Sequence, residues 1–233
     1  MDVSGRVLAI TQALGDPLRL AVLQHLMGGP ASVSELMTVV GAEQSRLSNH
    51  LAVLRERGLV RASRHGRQVL YELHDRAVAR LIESLAQIGG PPTRAVKSAP
   101  VAHARTCYDH VAGRLGVAIF EALVAGGALK TQKAAPDSVA LAAKAGPIFE
   151  KLGVDLEAAR QEQRRRFATA CLDWTERRPH LGGALGAALW AELVSRGWIV
   201  RRPGTRAVVV TAAGTRGLRR TLGVTLGGGP VGG

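Results

Sequence analysis

Ser32–Leu73, SVSELMTVVGAEQSRLSNHLAVLRERGLVRASRHGRQVLYEL, is the stretch that decides the fold. It reads as a short helix, a turn, a second helix and an alternating segment. From Glu43 to Arg57, Leu47, Leu51 and Leu54 recur at helical spacing and mark a buried stripe. At about 100° per residue, the opposite face carries Ser45, Ser48, Asn49 and Ala52. Short side chains of this kind let a helix approach base edges closely, where hydroxyl and amide groups can hydrogen-bond to them. Gly58 stops the helix, since glycine takes a left-handed C-terminal conformation without penalty. Leu59–Leu73 then alternates as two strands around Arg64-His65-Gly66-Arg67, with Gly66 free to take a positive φ. The basic tip suits phosphate or minor-groove contact. A helix-turn-helix followed by a basic hairpin is the winged helix-turn-helix arrangement, which lays its second helix in the DNA major groove. A solvated hairpin on an unrelated small domain is the competing reading, and it gives the polar helix face no purpose.

Residues from about Ala13 to Asp75 resemble the ArsR/SmtB (arsenic-repressor) family of bacterial regulators. The resemblance rests on ALGDPLRLAVLQHL (13–26), SELM (34–37), SRLSNHLAVLRERGLV (45–60) and GRQVLYEL (66–73), which occur in order at compatible spacing. It implies a homodimer that binds an imperfect DNA palindrome near a promoter, usually as a repressor released by a ligand. Carried over by position, Gln44, Ser45, Arg46, Ser48 and Asn49 would face DNA, and Arg64 and Arg67 would form the wing tip. His50 sits toward the apolar edge of its helix and reads as a packing residue. The chain departs from the family in its metal ligands. Many members sense metals through cysteines on the helix before the recognition helix, but Ser34–Val40 has neither cysteine nor histidine. Others use aspartate and histidine on the last helix of the domain, whereas 75–88 has Asp75 and Glu83 but no histidine. Sensing, if present, is placed elsewhere.

The 233 residues carry a net charge of +13, as expected of a protein that works on polyanions. The excess is not confined to the first part. Residues 1–100 hold 12 Lys+Arg against 8 Asp+Glu, and 101–233 hold the remaining 19 against 10. The second part therefore lies near phosphate, meets an acidic ligand, or is basic for solubility alone. Two cysteines argue against a disulfide scaffold and for a reducing cytoplasm. Met1-Asp2-Val3 lacks the basic start and apolar run of a signal peptide. The most apolar window, 181–200, is interrupted by Glu192 and Arg196, which excludes a membrane span and a membrane partner there.

A helix over about 4–14 carries Val7, Ile10 and Leu14 on one face, and the last helix of the domain carries Val78, Leu81, Ile82 and Leu85. Two such stripes flanking a small domain either pack internally or pair with their symmetry mates in a two-fold dimer. Gly89-Gly90-Pro91-Pro92 ends that helix. The expected organisation is a winged helix-turn-helix over 1–90, a linker over 91–102, a C-terminal effector or dimer domain over 103–226, and a disordered GGGPVGG tail over 227–233. The fold class is mainly α with short β-hairpins.

Shifting the chain by 70 residues superposes 111–129 on 181–199. His110 meets His180, Gly113 meets Gly183, Leu115-Gly116 meets Leu185-Gly186, and Gly127 meets Gly197. The same offset places Leu152-Gly153-Val154 on Leu222-Gly223-Val224. The second part is thus expected to be a duplicated, degenerate winged-helix-like domain, with copies at about 107–156 and 171–226. The second copy has a wing around Pro203-Gly204 whose tip carries Arg201, Arg202 and Arg206. Its helix, mostly Ala, Gly and Leu over 181–195, lacks polar readers and is a packing helix.

Each copy begins with a Cys-x-Asp element, Cys107-Tyr108-Asp109-His110 and Cys171-Leu172-Asp173-Trp174, with His180 following the second. The histidines are expected at helix starts. Cys107, His110, Cys171 and His180 would form a Cys2His2 set suited to zinc if the copies face one another about a pseudo-two-fold axis. Tyr108, Trp174, Arg177, Arg178 and His180 instead offer aromatic faces and cationic donors for a planar anionic metabolite. Buried packing and a thiol redox switch also remain open. Cys107 with His110 is the one nucleophile–base candidate and lacks a substrate frame, so no enzyme is expected. DNA binding itself calls for no cofactor. The functional expectation is a homodimeric repressor of double-stranded DNA, released by a ligand sensed in the C-terminal part. The alternatives are a metal- or thiol-responsive repressor and a constitutive architectural DNA binder.

Overall fold

The computed structural model describes residues 3–66, 68–89, 100–107, 109–132, 135–162, 166–202 and 205–226. The tail 227–233, most of the expected linker, Arg67, Tyr108 and the Pro203-Gly204 turn lie outside the described residues. The chain divides into two compact units, Met1–Leu85 and Ala86–Gly233.

The first unit opens with α1 (Val3–Leu14) and α2 (Pro17–Leu26). Asp16 caps α2 by accepting from the Arg19 amide, and Pro17 takes the first helical position, where no amide is missed. After the short β1 (Ala31–Ser32) comes α3 (Val33–Val40). A reciprocal capping box between Ser32 and Glu35 starts it, and Gly41 ends it at φ 62°. The second helix of the motif, α4 (Gln44–Glu56), ends at Gly58, φ 67°. The hairpin of β2 (Val60–His65) and β3 (Gln68–Leu73) turns through Gly66 at φ 61°. β1 joins it in a three-stranded antiparallel sheet ordered β1-β3-β2, and α5 (Arg76–Gly89) follows. Leu23, Leu36, Leu47, Leu51, Leu54 and Leu59 form a dry centre. This is the winged helix-turn-helix read from 32–73.

The flanking stripes divide between inside and outside. Leu14, Val78 and Ile82 are buried, while Val7, Leu8 and Leu85 are exposed, and Ile88 is 87% exposed.

In the second unit the short α6 (Pro100–His103) precedes the hairpin of β4 (Arg105–Cys107) and β5 (His110–Ala112). Residues 100–102, placed at the end of the expected linker, are thus helical. Ala102 and Ala104 are fully buried, small enough for the chain to pack directly on the core. Next come α7 (Gly113–Ala125), the hairpin β6 (Leu129–Gln132) and β7 (Ala135–Leu141), and helices α8 (Ala145–Leu152) and α9 (Leu156–Arg160). The hairpin β8 (Thr169–Leu172) and β9 (Pro179–Gly182) leads into α10 (Gly183–Ser195). The strands β10 (Ile199–Arg201) and β11 (Val208–Val210) and the helix α11 (Ala212–Leu222) close the unit.

The order hairpin, thirteen-residue helix, hairpin, helix thus runs twice. The two runs exchange strand contacts. Ser138 of β7 pairs with Thr169 of β8, giving an antiparallel sheet β6-β7-β8-β9, while Ala207 bridges to Arg105 of β4. A single hydrophobic core draws on both runs, including Leu115, Phe120 and Phe149 from one and Leu185, Trp190 and Leu218 from the other. One face of α10, with Ala184, Leu185, Gly186, Leu189, Trp190 and Leu193, is buried, in keeping with its composition. Among the described residues, no helix is long and apolar enough to cross a membrane.

Two of the three arginines expected at the second wing tip make contacts within the unit, while Arg202 is exposed. Arg201 lies over the Trp190 ring at 4.9 Å, and Arg206 donates to the Thr106 carbonyl at 3.0 Å. The reason is the strand exchange, which lays the start of β11 against β4 instead of leaving it in solvent.

Candidate functional site

On α4 the leucine stripe faces inward at essentially zero exposure, which turns Gln44, Ser45, Arg46, Ser48 and Asn49 to solvent together. None of the five makes a side-chain hydrogen bond or ion pair among the described residues. They form one polar strip over the first two turns of the helix. Arg64 is likewise exposed, directly before the tight turn of the hairpin. His50 turns the other way, its Nδ1 3.6 Å from Asp16 Oδ1. The Asp16 carboxyl is held below its ordinary range, chiefly by the Arg19 amide against a small opposing effect of burial.

The second unit gathers a different set. Cys107 lies opposite His110 at the end of the β4–β5 hairpin, and Cys171 lies opposite His180 in β8–β9. The histidines are thus on strands, not at helix starts, and α7 and α10 begin three residues later at Gly113 and Gly183. Both glycines sit near φ 76–79°, which swings the chain from strand into helix. One ligand atom from each of Cys107, His110, Cys171 and His180 lies within 4.8 Å of all the others. The two Nε2 atoms are 3.2 Å apart. Neither cysteine is in a disulfide.

Close approach of the two hairpins depends on a repeated glycine. A Cβ at Gly116 would stand 2.4 Å from the Val111 carbonyl oxygen and 3.3 Å from the His180 Cβ. A Cβ at Gly186 would stand 2.5 Å from the Leu181 oxygen and 3.2 Å from the His110 Cβ. Each helix therefore presses a bare backbone against the other run's histidine.

The aspartates of the two Cys-x-Asp elements lie behind the histidines. His110 Nδ1 is 3.5 Å from Asp109, and His180 Nδ1 is 3.4 Å from Asp173. Burial alone would lower the His110 pKa; hydrogen bonding to Asp109 and Cys107, with their negative charge, pushes it up to about 9. Asp173 is fully buried and accepts from Arg105 Nη2 at 2.9 Å, the Gly113 amide at 2.7 Å and the Thr175 hydroxyl at 2.7 Å. Burial opposes its charge, yet the Arg105 guanidinium and these donors hold it well below the usual carboxylate range.

Among the described residues, Trp174, Arg177 and Arg178 of the set expected for an organic anion are not brought together; Tyr108 lies outside the described residues. Trp174 is buried beneath Arg105, whose guanidinium is 5.2 Å from its ring, and Arg177 is exposed on a turn at φ 58°. Arg178 lines a separate cleft of about 400 Å³ with His103, Arg114, Glu121 and Glu176. Arg105 and Thr175 were not singled out from sequence. The signal available was the Cys-x-Asp element itself, since a carboxylate buried there requires a cation.

A family model described as "Bacterial regulatory protein, arsR family" matches residues 16–62. An uncharacterized HTH-type transcriptional regulator of Bacillus subtilis (strain 168), YdfF, is 37% identical over 227 residues, spanning 93% of this chain and 97% of its own. The HTH-type transcriptional regulator NmtR of Mycobacterium tuberculosis (strain ATCC 25618 / H37Rv) is 42% identical over 82 residues, 35% of this chain and 68% of its own. Among solved structures, reduced HlyU from Vibrio cholerae N16961 is 34% identical over 36% of this chain and 90% of its own, with a TM-score of 0.35. The similarity to YdfF thus extends over both units.

Proposed function

The chain belongs to the arsR family of bacterial regulatory proteins and is a DNA-binding transcriptional regulator, and on that premise we propose that it is a homodimeric, cytoplasmic repressor without catalytic activity. In this reading α4 enters the major groove with Gln44, Ser45, Arg46, Ser48 and Asn49, and Arg64 with Arg67 contacts phosphate beside it. The observation that carries it is the solvent-facing polar strip of α4, backed by an unbroken buried leucine stripe. Pairing of protomers is assigned to the exposed Val7, Leu8, Leu85 and Ile88, apolar residues that a lone chain leaves in water. A solved relative from Mycobacterium bovis is described as a homodimeric winged helix-turn-helix DNA-binding domain.

The second unit is a duplication, supported by the recurring element order and by the matched contacts of Gly116 and Gly186. Its role is to sense the effector that releases the operator.

The reading is tested by selecting bound duplexes from a random-sequence pool with the full chain. An inverted repeat should emerge, with half-sites about 10 bp apart from centre to centre or a multiple of that. Ser48→Ala with Asn49→Ala should cost roughly 1–3 kcal/mol per lost base contact and blur the consensus. No enriched sequence, or the same consensus from the double variant, would overturn the assignment.

A further inference from the structure

We infer that Cys107, His110, Cys171 and His180 form a closed zinc site that ties the two runs of the second unit together. This stands apart from the DNA-binding reading and does not depend on it.

Two sulfur and two imidazole donors are the set Zn²⁺ takes in tetrahedral structural sites. Zinc–sulfur bonds of about 2.3 Å and zinc–nitrogen bonds of about 2.0–2.1 Å give a tetrahedron with edges of roughly 3.3–3.8 Å. The Nε2 pair already spans 3.2 Å, and no pair of donors exceeds 4.8 Å. Closing the set takes rotamer adjustments of about an ångström.

Orientation points the same way. Each imidazole turns Nδ1 toward an aspartate and Nε2 toward the other imidazole. With each Nδ1 the protonated nitrogen, both Nε2 atoms would present lone pairs to one point, beside two sulfurs. Loss of the proton that one Nε2 shares with the other at 3.2 Å leaves two lone pairs that a cation would occupy. The carboxylate–imidazole pairing is also what fixes the tautomer of zinc-bound histidines. Asp109 lies beside His110 Nδ1, and Asp173, already paired with Arg105, lies beside His180 Nδ1.

Local structure preforms the chelate. Cys107–His110 and Cys171–His180 are opposed residues on two antiparallel hairpins, so each hairpin offers a two-toothed clamp, and Gly116 and Gly186 let the clamps meet. All four coordination positions are filled by protein, and Cys107, His110 and His180 are buried. A closed set without an open position serves structure or sensing, not catalysis.

The experiment uses the full chain purified without chelator, with metal content read by mass spectrometry and affinity by competition against a chromophoric chelator. One zinc per chain is expected, with a Kd at or below about 10⁻⁹ M. Cobalt(II) should replace it with the intense visible bands of tetrahedral coordination and a sulfur-to-cobalt charge-transfer band. Cys107→Ser and Cys171→Ser should each lose zinc at least 100-fold, and His74→Gln should lose none. Asp109→Asn, a partly exposed change that spares the core, should weaken binding about 10–100-fold. A full-length protein that takes up no zinc after reduction and reconstitution would overturn the site. So would a six-coordinate cobalt spectrum, or nanomolar binding retained in the double cysteine variant.

Discussion

Replacing Asp173 with alanine should be among the most damaging single changes in the second unit, and its size follows from what the carboxylate satisfies. Asp173 and Arg105 are each fully buried, with Arg105 Nη2 donating to Oδ2 at 2.9 Å. The same oxygen accepts from the Gly113 amide at 2.7 Å, while Oδ1 accepts from the amides of Thr175 and Glu176 and from the Thr175 hydroxyl. Removing the carboxylate strands a guanidinium without countercharge, a loss of about 3–5 kcal/mol. That is a large fraction of the roughly 5–15 kcal/mol that holds a typical domain together.

Arg105→Met should suppress much of this loss when combined with Asp173→Ala, because the stranded charge is then gone. What remain are the orphaned amides of Gly113, Thr175 and Glu176, about 1–3 kcal/mol for each that stays unsatisfied. The two changes should therefore be non-additive by at least about 1 kcal/mol. Urea unfolding followed by tryptophan fluorescence isolates the effect, since Trp174, Trp190 and Trp198 all lie in the second unit. Chelator throughout removes any contribution from bound metal. A loss below about 1 kcal/mol for Asp173→Ala, or single losses that simply add, would refute the ion-pair reasoning.

Gly116→Ala and Gly186→Ala should destabilise the second unit by similar amounts, at least about 1–3 kcal/mol each, because both methyls meet a carbonyl that cannot move. Gly146→Ala, helical and open, should be neutral or stabilising by up to about 1 kcal/mol, and equal urea midpoints for all three would contradict the packing described. Asp16→Asn keeps the cap of α2 but no longer titrates. Since the folded Asp16 pKa is depressed, its contribution is complete above about pH 4 and is lost as pH falls below that value. Acid unfolding followed by circular dichroism should therefore fall less steeply for the variant below about pH 4. Parallel curves would count against the assignment.

The first unit was legible because its signals are local. Leu47, Leu51 and Leu54 at helical spacing define an inside, the polar strip from Gln44 to Asn49 is then the outside, and Gly58 and Gly66 punctuate the chain where positive φ is required. Paired glycines and histidines 70 residues apart were legible too. Other features of the second unit were not. Arg206 read as part of an exposed basic tip because sequence gives no sign that the start of β11 lies against β4. Tyr108, Trp174, Arg177 and Arg178 read as one anion pocket because they cluster along the chain, yet Trp174 faces inward and Arg178 joins a different cleft.

By itself the sequence determined the winged helix-turn-helix, the polar outer face of its second helix and the choice of Cys107, His110, Cys171 and His180 as a set worth weighing. Periodicity, turn chemistry and residue type suffice for that, since each acts over a few neighbouring residues. Only the tertiary structure decided that those four donors converge, with the two Nε2 atoms 3.2 Å apart. Their meeting depends on two hairpins packed about a pseudo-symmetric core, with Gly116 and Gly186 clearing the way. Proximity across some 60–70 residues of chain is a property of that packing, on which local patterning is silent.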